Sequence, residues 1–502
     1  MRFDRASGIL LHPTSLPGPH GCGDFGPDAY RFVEWLASAG QRLWQLLPLG
    51  GLGAGDSPYM SSSAFAGNVL LIDLDDLCVR GWLDRGDLEA PTTFAAGPVD
   101  YGAVVPWRME RLRRAAERFA QRASDAERAS LEQFRTRHQG WLADYTLFMA
   151  LVDAQQGRAW CEWPLGLARR DPAAVQEAAR EHAERIAFWT FCQWQFFDQW
   201  GRLRAHAHER GVKIIGDAPI FIAWQSADVW ARPDLFELDP QGRPSVVAGV
   251  PADFFSPTGQ RWGNPLYRWS AHAADGYAWW IERIRRIFEL VDIVRIDHFR
   301  GFAGYWEIPV SEPTAVDGRW VPGPGEALFE AIHQALGPTP VIAEDLGVIT
   351  PDVEAMRKRF GYPGMRILQF AFAGDGSNRF LPHHHEADTV VYTGTHDNDT
   401  VVGWWAKAGE AERAYAKAYL ATSGDEIHWN LVRSACASVG DLAIHQMQDV
   451  LGLPTETRMN LPGQASGWWR WRFAWDQVSP AVALRLADLA RIYHRDGNRT
   501  RP

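Results

Sequence analysis

The feature that most constrains this chain is a recurrence of short apolar runs, each closed by a polar loop and followed by a stretch of helical periodicity. Eight such runs can be marked, at 43–49, 69–74, 212–222, 293–299, 340–346, 365–372, 389–395 and, more weakly, 447–453. Most are bounded by Gly or Pro and separated by segments such as 28–39 and 277–290, the alternation expected of parallel βα units. Eight units predict an α/β fold, a (β/α)8 TIM barrel. No repeat or linker divides the chain, so residues 1–502 are read as one elaborated barrel. Two intervals are too long for single loops. The stretch from about 75 to 210 has helical periodicity without a convincing strand and is expected to be a mainly helical insertion. Residues 223–276, rich in Pro, Gly and aromatics, are expected as an irregular insertion covering the barrel's active-site cleft.

Composition narrows the function. A net charge of −10 argues against a surface built to neutralise phosphates, so nucleic acid is not an expected partner. No apolar stretch reaches the roughly 18 residues of a membrane span, and the patch Ile9-Leu10-Leu11 is too short for a signal-peptide core. A cytoplasmic protein is expected. The five cysteines are scattered, with no C-x-x-C spacing, and read as reduced thiols rather than a disulfide or zinc framework. The adjacent His383, His384 and His385 cannot readily converge on one ion, and no calcium loop is evident, so no metal is expected. Tryptophan is abundant, at 25 residues. Such rings suit the apolar face of a sugar but also pack helices, and the cluster between Phe188 and Trp200 reads as core.

In a barrel the chemistry sits at the C-terminal ends of the strands. Four runs carry acids there: Gly216-Asp217-Ala218, Arg295-Ile296-Asp297-His298, Ala343-Glu344-Asp345 and Thr395-His396-Asp397. Strand alternation puts Ile293, Arg295 and Asp297 on one face and Val294 and Ile296 on the other. A guanidinium two residues before a carboxylate keeps that carboxylate ionised and oriented, as a nucleophile requires. Several inward acids at one mouth repel unless they divide into ionised and protonated forms. Glycoside chemistry uses that division: one carboxylate attacks the anomeric carbon and a second, with raised pKa, protonates the leaving oxygen. In retaining enzymes the two lie about 5–5.5 Å apart.

At this point the chain resembles the 4-α-glucanotransferases called amylomaltase or disproportionating enzyme, glycoside hydrolase family 77 of the α-amylase clan. The resemblance runs through Leu10-Leu11-His12-Pro13-Thr14-Ser15-Leu16-Pro17-Gly18, Ser57-Pro58-Tyr59 and Ser63-Ala64-Phe65-Ala66-Gly67-Asn68. It is most specific in Thr258-Gly259-Gln260-Arg261-Trp262-Gly263-Asn264-Pro265-Leu266-Tyr267 and in the elements at Arg295–Asp297–His298, Glu344-Asp345 and His396-Asp397. The resemblance implies Asp297 as nucleophile, Glu344 as general acid/base and Asp397 as the carboxylate gripping substrate hydroxyls. It further implies Arg295, His298, His396, Asp217 and Asn460 as sugar contacts, Tyr59 beside the reacting ring, and Asp253, Gln260 and Trp262 on a loop crossing the cleft. The segment Arg458-Met459-Asn460-Leu461-Pro462-Gly463-Gln464 departs from the family pattern at Leu461 and Gln464, as does Trp468 further on. The implied reaction is retaining transfer of α-1,4-glucan segments between malto-oligosaccharides, maltodextrin, amylose or glycogen-derived glucans, with no cofactor. A hydrolase of the same clan and a non-catalytic glucan-binding protein are the alternatives.

Overall fold

The structure, a computed structural model, describes residues 2–94, 96–252 and 256–497. Twelve strands occur among them: β1 (Ala6–Leu10), β2 (Leu43–Gln45), β3 (Lys213–Pro219), β4 (Val246–Val250), β5 (Gln260–Pro265), β6 (Ile293–Asp297), β7 (Gly304–Pro309), β8 (Arg319–Pro322), β9 (Val341–Ala343), β10 (Gly364–Ile367), β11 (Thr389–Tyr392) and β12 (Leu442–Gln446). Eight are parallel neighbours in the order β10-β11-β12-β1-β2-β3-β6-β9. The seam between β9 and β10 is bridged by Ala343 N donating to Pro363 O (2.9 Å) and Met365 N to Asp345 Oδ1 (2.7 Å), so the sheet closes nearly completely into the expected TIM barrel.

Two of the eight expected strands lie elsewhere. The run 69–74 is a 3-10 turn, Val69–Leu71, followed by a helix, Leu74–Val79. Asn68 and Asp73 cap these by accepting from Leu70 N and Asp75 N, and that local capping overrides the strand-like apolar pattern. The run 447–453 begins with the helix Met447–Val450, and the eighth barrel strand is the β12 segment just before it. The first barrel strand, β1, is rich in small residues. Gly8 is needed there because a Cβ would run into Leu43 O and Cβ of β2.

Residues 74–209 contain helices at Leu74–Val79, Tyr101–Arg122, Asp125–Arg137, Gln139–Ala154, Leu165–Ala168, Pro172–Glu181 and Ala183–Glu209. Their starts are written locally: Ser124 and Glu127 form a reciprocal capping box, and Asp171 accepts from Ala173 N and Ala174 N. In the last helix Phe188, Trp189, Phe191, Trp194, Phe196 and Trp200 are buried, and Trp200 meets Phe25 and Trp44 under β2. These rings are core, bound to no cleft.

Residues 223–276, expected as irregular, contain β4 and β5, which join β7 and β8 in an antiparallel sheet of order β5-β4-β7-β8. Gly249 makes the pairing possible, since a Cβ there would strike Gln260 O, and glycine is the residue that reads as loop in sequence. Tyr305 is buried on the face of this sheet that meets Phe221 from the end of β3. The sheet therefore stands beside the C-terminal mouth of the barrel. Among the described residues no helix is long and apolar enough to cross a membrane.

Candidate active site

Register builds the first half of the site. β3 and β6 pair so that Asp217 lies opposite Arg295 and Pro219 opposite Asp297. Arg295 is enclosed, and its guanidinium bridges two carboxylates: Nη1 donates to Asp217 Oδ1 and Oδ2 (2.8 and 2.7 Å) and Nη2 to Asp297 Oδ1 (2.9 Å). Tyr59, carried by the turn Pro58–Met60, donates its hydroxyl to Asp217 Oδ2 at 2.6 Å. Burial raises the Asp217 carboxyl above the ordinary range while Arg295 pulls against it. The Tyr59 hydroxyl is held far above its ordinary value by burial and by Asp217. Asp297 keeps 28% of its side chain exposed, with Oδ1 engaged by the guanidinium.

Glu344 is held differently. Leaving the end of β9, its Oε2 accepts from His298 N and its Oε1 from Leu346 N, both at 2.7 Å. The first of these bonds depends on a left-handed backbone at His298 (φ 51°, ψ 49°), a conformation that costs a non-glycine residue about 1–2 kcal/mol. That turn places the acid of β9 beside the acid of β6. Burial pushes Glu344 up to about 7, with the charge of Asp297 adding to it and Arg295 and the two N–H donors opposing. A half-protonated carboxyl next to an Arg-bound carboxylate is the acid–base division that glycoside cleavage needs.

The third acid closes the other side of the mouth. Asp397 Oδ1 accepts from Asn460 Nδ2 at 2.6 Å and stands 3.3 Å from His396 Nε2. At Gly394, just upstream, a Cβ would crowd the side-chain amides of Gln369 and Gln446. Tyr59 stacks on His396 with centroids 5.2 Å apart, and Trp469 leans on both rings. Trp262, on β5, sets its ring edge-on to His298 at 4.9 Å and donates Nε1 to Gln260 Oε1. His298 stays neutral, its pKa pushed down to about 4 by burial against the pull of Asp297.

The structure thus brings together Tyr59, Asp217, Gln260, Trp262, Arg295, Asp297, His298, Glu344, His396, Asp397 and Asn460, whereas Asp253 lies outside the described residues. Sequence reading gave no role to Arg458 or Trp469. Arg458 clamps the site from behind, donating Nη2 to Asp397 O (2.7 Å) and Nε to Asn460 O (2.8 Å). Both lie in or beside the Arg-Met-Asn segment, and what was missing was the path that folds it back over the mouth. Among the described residues no group of His, Cys, Asp and Glu side chains could hold a metal.

Comparison with known proteins gives the family. The model of the family described as 4-alpha-glucanotransferase, glycoside hydrolase family 77, matches residues 11–477. A 4-alpha-glucanotransferase of Thermus thermophilus is 52% identical over 503 residues, 99% of this chain and 100% of that one. A second, from Synechocystis, is 45% identical over 501 residues, 98% and 99% of the two chains. The solved structure of an amylomaltase from Streptococcus agalactiae in complex with acarbose has a TM-score of 0.94 at 38% identity and covers 98% of this chain and 99% of that one. On a barrel of this topology, with paired acids at its mouth and a family match over nearly its whole length, the chain belongs to the 4-α-glucanotransferases of glycoside hydrolase family 77.

Proposed function

We propose that this 4-α-glucanotransferase works by double displacement, with Asp297 as nucleophile, Glu344 as acid and base, and Asp397 as the carboxylate that grips the donor sugar. The observation that carries this reading is the contrast at one mouth between Asp297, bound by Arg295, and Glu344, raised to about 7 beside it. In the first step Asp297 Oδ2 attacks the anomeric carbon, the glycosidic C–O bond breaks, and the Glu344 proton goes to the departing 4-oxygen. In the second an acceptor 4-hydroxyl gives its proton to Glu344 and displaces Asp297, so the α-configuration is retained. His298, which is neutral, supplies donors to sugar hydroxyls together with His396 and Asn460, and the Tyr59 ring offers a face to the reacting sugar. Malto-oligosaccharides are the substrates this reading favours, and the five unpaired cysteines suit a reducing cytoplasm. Incubation with maltotriose tests it: glucose together with longer oligosaccharides is expected, whereas glucose and maltose alone mark a hydrolase.

The raised Glu344 gives a pH dependence of definite sign. Only the protonated acid can cleave, so kcat/KM on maltotriose is expected to fall above about pH 7, approaching tenfold per unit. Glucosyl fluoride, whose leaving group needs no proton, should lack that limb. Identical limbs for both donors would remove Glu344 from the acid role.

Transfer also requires that water be kept from the intermediate until a sugar enters. The residue this reading favours for the role is Trp262, which the β4–β5 pairing carries edge-on to His298. Trp262→Ala is expected to lower transfer more than hydrolysis. The check is the ratio of the two on maltotriose, and an unchanged ratio contradicts the shielding role.

A further inference from the structure

Asp449 has no place in the mechanism above, yet it is fully buried, in the helix Met447–Val450 that follows β12. Its two oxygens hold two different points of the chain: Thr393 Oγ1 donates to Oδ2 and Val401 N to Oδ1, each at 2.7 Å. Thr393 and Val401 are themselves fully buried. Burial raises the Asp449 carboxyl to about 7, with the charge of Asp399 adding to it and the Val401 and Thr393 donors opposing. The donors therefore return less than burial costs, and packing alone gives no reason for a carboxyl here.

What lies between the two points supplies the reason. Thr393 continues β11 by donating its N–H to Ile444 O, and Val401 opens the helix Val401–Lys407, where its own N–H has no partner within the helix. The segment joining them carries His396 and Asp397. Its internal bonds are short-range: Thr395 N and Oγ1 donate to Asn398 Oδ1 (2.8 and 2.9 Å), which fixes the shape of the turn and not its place. The place is set from outside. Arg458 and Asn460 hold Asp397 itself, Gln369 Nε2 donates to Asp399 O at 2.8 Å, and Asp449 holds both ends at once. One carboxyl thus sets the spacing between the end of β11 and the start of the helix, and with it where the turn puts Asp397.

We propose that Asp449 is a positioning residue: by tying Thr393 to Val401 it fixes the turn that presents Asp397 to the donor sugar. This rests on the sugar-gripping role given above to Asp397. The test is a double-mutant cycle in kcat/KM on maltotriose, run on variants that thermal melting shows to be folded. Asp449→Ala removes both ties and is expected to cost roughly tenfold in the otherwise native enzyme, but no more than about twofold in the Asp397→Asn background, where the group it positions is already impaired. A buried group that only stabilises the barrel would cost the same in both. Asp449→Asn keeps an oxygen for Val401 N and gains an amide that can donate to Thr393 Oγ1, so it is expected to stay within about threefold of wild type. Equal losses in the two backgrounds, no loss in Asp449→Ala, or a loss in Asp449→Asn as large as in Asp449→Ala overturn the proposal. Should Asp449→Ala fail to fold, Thr393→Val cuts one tie and leaves the carboxyl in place. Carried through the same cycle, it is expected to cost about threefold in the native background and nothing in the Asp397→Asn one, and equal losses again overturn the proposal. Failure of the underlying reading shows separately, as normal turnover by Asp397→Asn alone.

Discussion

Asp297→Asn is expected to leave the fold intact and to lower kcat/KM on maltotriose by at least about 10³-fold. The side chain is partly open to the cleft, the amide has nearly the same volume, and Arg295 keeps its two contacts with Asp217, so little holding the barrel together is lost. What disappears is an oxygen able to form an ester with the anomeric carbon. A second consequence follows from the charge. Asp297 helps to raise Glu344, and its neutralisation should move the Glu344 titration downward. Circular dichroism and thermal melting establish that the variant is folded, and near-normal turnover by such a protein contradicts the nucleophile assignment.

Glu344→Gln is expected to slow maltotriose by about 10²–10⁴-fold while sparing the first step with glucosyl fluoride, because only the sugar leaving group needs the proton. The same change has a structural cost. Each carboxylate oxygen accepts one backbone N–H, from His298 and from Leu346, and an amide nitrogen can accept neither. One buried donor is left unpaired, so the variant should also lose about 1–3 kcal/mol of stability. Rapid-mixing measurement of glycosylation alone is the check, since the second step needs the base as well. Equal slowing of both donors in that step removes Glu344 from the acid role.

The residues that announce themselves in sequence are those whose geometry is set within one strand. Alternation along β6 is enough to put Arg295 and Asp297 on one face, and the contact between them is there. The bridge from Arg295 to Asp217 depends on the register of β6 on β3, separated by 78 residues, and no local pattern encodes it. The same limit hid the pinning of Glu344, which needs the left-handed turn at His298, and the clamp of Arg458 on Asp397, which needs the return of a distant segment. In the fold, five of the marked runs from β3 through β11 persist because buried parallel strands read as apolar runs. β1 escaped because a serine and a glycine interrupt its five residues, and 69–74 misled because caps at Asn68 and Asp73 decide its conformation where hydrophobicity does not. The β4–β5 pairing was hidden by Gly249, which is a contact residue there and a loop signal in sequence.

The central claim is a covalent glycosyl–Asp297 intermediate, and trapping it is the most direct test. Glu344→Gln should form the ester readily from a malto-oligosyl fluoride whose non-reducing 4-hydroxyl is blocked, and should then be slow to release it for want of a base. Intact-protein mass spectrometry followed by peptide mapping is expected to find one malto-oligosyl group, the donor less its fluoride, on the peptide containing Asp297, absent from the Asp297→Asn, Glu344→Gln double variant. No adduct despite fluoride release, or an adduct on any other side chain, would contradict the mechanism.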